Sequence, residues 1–329
     1  MGFGKVAELA HLPALSACPE LTLAAVVEPL PARRDLARAL LPGVRVYEDL
    51  AGLLMGEADL DFVDLCTPPH SHARLALAAL KRGLHVLSEK PLSLSPAEFR
   101  ELEEAWAPNP ALALVTVHNW RYAPILAQTT ALIRGGAIGR VQQVEWQVYR
   151  TDASGGGLSP WRRDPAHSLG GILVDHGWHA FYLLPAWLGR PEALRARLVR
   201  EPGSPVELEA EVEMKFPGAA ARLFFTWQAA QRANRARILG QAGEIIIDDD
   251  HLTRTAGEEI LSSPRFPEKL SGGSHHPEWM AGVLREFLQE IQTAHQRGRN
   301  FLEAETCSRL IRLAYRSHES GGALLPLAP

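Results

Sequence analysis

Asp175 and His179 stand four residues apart in Gly170-Gly-Ile-Leu-Val-Asp-His-Gly-Trp-His179. On a helix that spacing puts both side chains on one face, where a carboxylate can orient an imidazole and support its charge while the ring gives or takes a proton. Asp175, His176 and His179 also have ligand chemistry. The segment lacks the His-Glu-x-x-His spacing that sets two imidazoles on one ion, however, so no metal is expected and His176 is read as a packing or hydrogen-bonding residue. Lys90, in Ser88-Glu89-Lys90-Pro91, is a second candidate. An amine held out of water gives up its proton more readily, and as a cation it steadies a developing alkoxide. The third candidate is Gly2-Phe3-Gly4-Lys5-Val6-Ala7, which fits the G-x-G-x-x-G/A pattern. Its glycines let backbone approach a pyrophosphate at a helix N-terminus, where N–H groups and the helix dipole favour an anion. Glu28 follows Gly4 by 24 residues, close to the roughly 20 expected of an acid that bonds an adenosine ribose 2′-hydroxyl. Its charge repels a 2′-phosphate, so NAD is favoured over NADP. Arg33 and Arg34 could soften that preference but read as an exposed helix face.

These residues need a scaffold, and the first third of the chain spells one. Val6 to Ala17 reads as a helix, Leu21 to Val27 as a buried strand ending at Glu28, and Ala32 to Leu41 as a second helix. Asp61 to Cys66 is a short apolar strand closed by Thr67-Pro68-Pro69, followed by a helix over His70 to Arg82. His85 to Leu87 is the next strand and delivers Glu89-Lys90-Pro91. Ser95-Pro96-Ala97-Glu98 is a capping box with Pro at the first helical position, and Phe99, Leu102 and Trp106 line the face of the helix it starts. Alternation of this kind means an α/β, doubly wound parallel sheet, with Thr67, Pro68 and Lys90 at the carboxyl edge where such sheets bind ligands. Only Met1 precedes the glycine turn, where the pattern expects a strand that is central and buried on both faces. The expectation is a sheet without its first strand, its neighbours left with open edges, and a start site assigned too far downstream; a variant that fills the gap differently is the alternative.

From residue 119 the texture changes. Val144, Trp146 and Val148 alternate with polar residues, and Val206 to Phe216 alternates between apolar and charged. Period two marks antiparallel strands with one wet face. Ala221 to Trp227 and Glu244 to Ile247 add strands, and a helix over Pro277 to Gln296, with Trp279, Val283, Phe287 and Ile291 recurring every four residues, closes this part. The division is therefore 1-118 for the nucleotide-binding sheet and 119-329 for an α+β domain. Asp152 to Pro160 and Ser271 to Ser274 read as loops, and His275-His276 as loop surface or the rim of a substrate site.

Composition narrows the function classes. A chain of 329 residues is long enough for two cores, and its 46% hydrophobic and 22% charged residues with a net charge of −4 describe an ordinary globular protein without a nucleic-acid partner. No apolar run reaches membrane-spanning length. Val6 stands where a myristoylation signal wants Ser or Thr. Cys18, Cys66 and Cys307 lie far apart and form no Cys-x-x-Cys pair, which points to a reducing, cytoplasmic setting with inert thiols.

The glycine turn, Asp64-Leu-Cys-Thr-Pro-Pro-His-Ser-His72, Glu89-Lys90-Pro91, His118-Asn119-Trp120-Arg121-Tyr122 and Asp175-x-x-x-His179, in this order, resemble the Gfo/Idh/MocA oxidoreductase family over nearly the whole chain. That resemblance implies an N-terminal Rossmann-like domain and a C-terminal α+β domain. The second domain carries a large, mostly antiparallel open sheet through which homodimers or homotetramers form. A nicotinamide cofactor would lie between the domains, held by Gly2, Phe3, Gly4, Lys5, Val6 and Glu28, by Thr67, Pro68, His70 and His72, and by Glu89, Lys90 and Asn119. The implied catalytic set is Lys90, Asp175 and His179. His179 takes a hydroxyl proton, Asp175 holds the imidazole and Lys90 steadies the alkoxide as hydride passes to the nicotinamide. Arg121, Tyr122, Trp161, Arg162 and His176 are the expected contacts to a small polyhydroxylated substrate such as a sugar or cyclitol, with Trp161 either stacking on it or packing in the core. Leu169 stands where the family has the first of three glycines. An NAD-using glycoside hydrolase and a non-catalytic nucleotide or sugar sensor are the alternatives within this fold; retention of Lys90, Asp175 and His179 argues against the sensor.

Overall fold

The protein is described by a computed structural model over residues 1–151 and 160–327. The chain forms two compact units, Met1–Asn119 with His275–Glu305, and Trp120–Ser274 with Thr306–Pro329.

In the first unit a π-helical turn over Ala7–His11 runs on as α1 (Leu12–Ser16), followed by β1 (Ala25–Val27), α2 (Pro31–Leu40), β2 (Arg45–Tyr47), α3 (Leu50–Gly56), β3 (Phe62–Leu65), α4 (His72–Leu80), β4 (His85–Ser88), α5 (Pro96–Trp106) and β5 (Leu114–Thr116). All strand pairs are parallel, but they form two sheets, β1-β2 and β3-β4-β5. Met1 and Gly2 lie between them. Gly2 N–H donates to Val27 O at 2.8 Å, and Met1 O accepts the Cys66 N–H at 2.7 Å. The edges of β1 and β3, expected to be open, are thus bonded to the residues that lead into the glycine turn. The strand expected from Leu21 is ordered as strand only from Ala25, while β2, α3 and β5 carry too few residues to show a period. Ser95 caps α5 as expected, its Oγ accepting the Glu98 N–H at 3.3 Å. The Glu98 carboxylate takes the Ser93 hydroxyl instead of closing the box on Ser95.

The second unit begins with α6 (Pro124–Arg134) and β6 (Val141–Tyr149). After α7 (Pro165–Ser168) a second π-turn over Leu173–Gly177 leads into α8 (Trp178–Leu188). The strands β7 (Ala193–Val199), β8 (Glu209–Phe216), β9 (Ala219–Thr226), β10 (Ala233–Gly240), β11 (Glu244–Asp248), β12 (His251–Ala256), β13 (Glu259–Ser262) and β14 (Leu325–Pro326) join β6 in a nine-stranded sheet, order β13-β12-β11-β10-β6-β9-β8-β7-β14. Only β6 and β9 pair in parallel; every other neighbour is antiparallel. The period-two pattern is realised here: Ala210, Val212, Met214 and Phe216 of β8 are buried, while Glu211 and Lys215 face water.

Two long helices follow, α9 (Pro277–Gln292) and α10 (Arg299–Glu319). The sequence reading places α9 at the close of the second domain, but it belongs to the first unit. Its apolar stripe packs there, with the Phe287 ring 5.1 Å from that of Phe62 on β3. His276, read as loop surface, is buried and stacked on Trp279 at 3.6 Å. No helix among the described residues is long and apolar enough to cross a membrane.

Candidate active site

The glycine turn opens the first unit. Gly2 has φ +79°, and a Cβ there would meet Cys66 O at 2.9 Å, so the turn passes too close to the end of β3 for any side chain. A Cβ on Gly4 would meet nothing within 4 Å. Open space therefore lies before the first turn of the helix, whose leading N–H groups have no acceptor within the helix. Phe3 is buried among Ala7, Val26, Ala37 and Cys66, with Val6 packed alongside, and Lys5 is exposed beside Glu8.

Glu28, just past β1, braces the turn. One carboxylate oxygen accepts the Phe3 N–H at 2.7 Å and the other the Leu30 N–H at 2.9 Å. Arg33 and Arg34 are not the exposed helix face that their position on α2 suggests. Arg33 donates to Phe3 O, and Arg34 to the carbonyls of Glu28 and Pro29. Arg33 is folded onto the glycine turn and Arg34 onto the end of β1, because backbone oxygens there are within reach of a planar guanidinium.

The ends of β3 and β4 carry the other expected residues of this unit. Thr67 and Pro68 are half-buried, His70 is exposed, and His72 is fully buried. The His72 ring nitrogens lie 2.7 Å from Pro91 O and 2.7 Å from Thr67 O, tying the two strand-end turns together; burial pulls its pKa down. It acts as a brace behind the edge, not as a group facing a ligand. Lys90 is half-buried, and its backbone N–H donates to the Glu89 carboxylate at 3.0 Å. Asn119 is half-buried, and its Oδ1 has no hydrogen-bond partner among the described residues.

In the second unit the π-turn and α8 place Asp175, His176 and His179. His179 is buried, its ring stacked on Trp120 at 4.6 Å with 7° between planes, and its Nδ1 is 3.1 Å from Tyr182 Oη. Tyr182 Oη also accepts the Trp120 N–H at 2.9 Å. Asp175 is half-buried, with the His176 Nε2 at 3.7 Å. Arg121 lies over the Tyr182 ring at 5.4 Å, and Tyr122 is half-buried beside it in sequence. Trp161 and Arg162 stack on each other at 4.5 Å in a 3₁₀ turn over Pro160–Arg163. Residues 152–159 of the preceding loop lie outside the described residues.

Several residues that sequence reasoning missed hold this segment. Tyr182 and Trp120 fix the His179 ring; the one local signal was a tyrosine three residues on, a helical neighbour of His179. Arg150 is buried, with its guanidinium 5.9 Å over the Trp120 ring. Burial, with the nearby Arg232 cation, pulls its pKa below the ordinary value, and Asp175 and Asp249 oppose that. Glu207, also buried, accepts the N–H groups of Gly171 at 2.9 Å and Leu173 at 3.1 Å and the Tyr315 hydroxyl at 2.9 Å through one oxygen. It therefore caps the segment that carries Asp175.

A parallel α/β unit with a glycine turn at a helix N-terminus, and a second unit built on a large, mostly antiparallel sheet, define a two-part protein of the dinucleotide-binding Rossmann class. Residues 1–117 match the oxidoreductase family with an NAD-binding Rossmann fold, and residues 126–246 match the GFO/IDH/MocA C-terminal domain. The chain belongs to the Gfo/Idh/MocA family. It is 31% identical over 147 residues to a levoglucosan dehydrogenase of Pseudarthrobacter phenanthrenivorans, covering 44% of this chain and 37% of the relative. It is 32% identical over 151 residues to a galactose 1-dehydrogenase of Pseudomonas fluorescens, covering 45% and 44%. Matches of this kind span about half or less of the first relatives' own length. Among solved structures, levoglucosan dehydrogenase in complex with NADH and levoglucosan shares the fold at a TM-score of 0.84 and 20% identity, covering 100% of this chain and 98% of that one. An Agrobacterium radiobacter oxidoreductase in complex with NAD+, L-tartaric acid and magnesium does so at 0.83 and 21%, covering 99% and 96%.

Proposed function

We propose that the protein is an NAD-dependent oxidoreductase acting on a hydroxyl or carbonyl carbon of a sugar, cyclitol or related polyol. The observation that carries this reading is the cradle before Gly4, where open space meets the leading N–H groups of a helix. The residues present fit a dinucleotide. Residues 2–6 would hold its pyrophosphate, Glu28 its ribose hydroxyls, and Asn119 offers a buried Oδ1 that still lacks a donor. Bound NAD supplies the hydride acceptor.

The protein's own groups supply the rest. His179, its Nδ1 held 3.1 Å from Tyr182 Oη, accepts the substrate hydroxyl's proton on its imidazole. Trp120 fixes the ring plane, Asp175 supports the charge that His179 gains, and Lys90 steadies the alkoxide. Arg121, Tyr122, Trp161, Arg162 and His176 supply the cationic, aromatic and hydrogen-bonding surface that suits a hydroxyl-rich ligand. Relatives named as levoglucosan dehydrogenase, galactose 1-dehydrogenase and 1,5-anhydro-D-fructose reductase support a sugar as the substrate class.

Arg33 and Arg34, folded beside Glu28, favour a second reading in which NADP is also accepted. Titrations of both cofactors separate the two: tighter NAD binding by about tenfold or more supports the Glu28 reading, and parity supports the arginines. The protein is read as cytoplasmic and as a homodimer or homotetramer assembled through the nine-stranded sheet, which light scattering on the eluted protein tests.

The deciding experiment is Gly4→Ala. A methyl there meets nothing in the protein, and because the Gly4 carbonyl accepts the first helical bond, from the Glu8 N–H, Ala costs at most about 1 kcal/mol of capping, so the variant should fold with a melting temperature within about 5 °C of wild type. It also fills the space through which backbone reaches a pyrophosphate, so the NAD Kd should rise by about tenfold or more, roughly 1.4 kcal/mol. An unchanged Kd in the folded variant removes the cofactor reading. Turnover of an aryl glycoside with no NADH absorbance would replace the dehydrogenase with the hydrolase.

A further inference from the structure

One buried charge cluster is not used by the chemistry above. His11, on the π-turn that follows the glycine loop, is 1% exposed, yet both of its ring nitrogens meet carboxylates. Nδ1 lies 2.9 Å from Asp64 on β3, and Nε2 lies 3.1 Å from Glu89 at the end of β4. An imidazole satisfies two anions only by donating from both nitrogens, that is, as the cation. Burial is the largest single influence and opposes that charge, but Asp64 and Cys66 together outweigh it, and the pKa of His11 is held well above its ordinary value. Asp64 and Glu89 are kept below theirs against the same burial, chiefly by His11. The remaining titratable neighbours are Cys66, whose thiol burial pushes up, and the Met1 amino group, which donates to Asp64 O. His11, Asp64 and Cys66 bring ligand-type atoms within 4.8 Å of one another, but the ring nitrogens are already engaged, so the cluster is an ion-pair clasp and not a metal nest.

The clasp has a direction. Glu89 gives one oxygen to His11 and the other to the Lys90 N–H at 3.0 Å. On the far side of the same turn His72 meets Pro91 O. The Glu89-Lys90-Pro91 turn is therefore pinned at both ends by buried imidazoles from different helices, at the His11 end through a carboxylate and at the His72 end through a backbone carbonyl.

We propose that His11 is a positioning residue for Lys90: through Glu89 it fixes the backbone from which the Lys90 amine is presented, coupling the helix behind the glycine loop to the chemical step. The proposal rests on the reading of Lys90 given above.

Two arms separate the ideas. In the first, kcat and NAD Kd are measured for His11→Gln, Lys90→Met and the double variant, each checked for folding by circular dichroism. A clasp that acts through Lys90 lowers kcat of His11→Gln by about tenfold or more with the NAD Kd within about threefold, and adding His11→Gln to Lys90→Met costs nothing further. Wild-type kcat in folded His11→Gln, or the same fold-loss in both backgrounds, overturns it. Should His11→Gln not fold, Asp64→Asn, which keeps an acceptor at His11 Nδ1 but removes the carboxylate that holds the ring as a cation, is measured in its place with the same criteria. The second arm does not depend on catalysis. Lysines are ¹³C-methylated, and the Lys90 resonance is assigned by its loss in Lys90→Met. The clasp shifts that resonance in His11→Gln; an unmoved resonance overturns the proposal. If Lys90→Met keeps full activity while the resonance moves, the functional reading fails and the clasp stands.

Discussion

Gly171→Ala tests the link between packing and chemistry in the second unit. A Cβ built on Gly171 falls 2.0 Å from the carbonyl oxygen of Glu207, where ordinary contact begins near 3.4 Å. Backbone cannot swing aside as a side chain can, so the two segments must part by more than 1 Å before the contact is tolerable. The same carbonyl accepts the Ile172 N–H at 3.1 Å, and the Glu207 carboxylate accepts from Gly171 and Leu173. Parting the segments therefore strains or breaks this cap as well. Overpacking costs about 1–3 kcal/mol and a lost hydrogen bond about 1 kcal/mol more, for roughly 2–4 kcal/mol in all. That lowers the melting temperature by about 5–15 °C for a unit of this size. The residues displaced are those that lead into Asp175 and His179, and a shift of about 1 Å at a catalytic group costs on the order of a hundredfold in rate. The NAD Kd should stay within about threefold, because the glycine turn lies in the other unit. Differential scanning calorimetry, steady-state kinetics and cofactor titration on one preparation read all three quantities. Wild-type kcat and melting temperature in Gly171→Ala would refute the reasoning, and a normal kcat with a lowered melting temperature would show that the segment's position is not what sets the rate.

Other outcomes follow from the same geometry. Leu169 holds a left-handed backbone, φ 65° and ψ 3°, at the end of α7. Leu169→Gly relieves about 1–2 kcal/mol of strain against about 0.5–1 kcal/mol of added chain entropy, so denaturant melts should show a gain of up to about 1.5 kcal/mol; a loss would mean that the leucine side chain packs for more than its backbone costs. Glu290 on α9 is buried and accepts the N–H groups of Gly298 and Asn300, and burial, aided by Glu286 and Glu303, pushes its pKa up to about 7. The folded protein thus keeps a proton that the unfolded chain gives up in the ordinary carboxylate range. Its contribution is present at low pH and declines as pH rises from about 4.5 to about 7, by at most about 3 kcal/mol at 1.36 kcal/mol per pH unit. Glu290→Gln should lack that decline, so the stability difference between wild type and variant in urea melts should fall across this pH range, and parallel curves would rule the assignment out. Lys90→Ala should lower kcat by about a thousandfold with the NAD Kd within about tenfold, as for a group that acts in the transition state; normal turnover would remove Lys90 from the mechanism.

Much of the architecture was legible because it is written in near neighbours. The capping Ser95 with Pro96, the apolar segment ending in Thr67-Pro68-Pro69, and the alternation from Glu209 to Phe216 each depend on residues within a turn or a pleat of one another. What failed to show were elements too short to have a period, such as Arg45–Tyr47 and Leu114–Thr116, and the assignment of α9, whose apolar stripe fits either unit until Phe287 meets Phe62. Arg33 and Arg34 were misread for a related reason: amphipathic pattern says which face is polar, but not that backbone oxygens of the glycine turn and of the end of β1 lie within reach of that face.

The sequence by itself determined the residue types that chemistry needs, the order of the motifs, the family resemblance and the alternation that builds two kinds of sheet. Only the tertiary structure decided how those residues are held: His179 against Trp120 and Tyr182, the Asp175 segment under Glu207, and the Lys90 turn against His11 and His72. The reason is one of range. Helical and strand periods are set within a few residues, but an ion pair between His11 and Glu89 spans 78 positions, and nothing local distinguishes those two side chains from any other histidine and glutamate until the sheet brings them together.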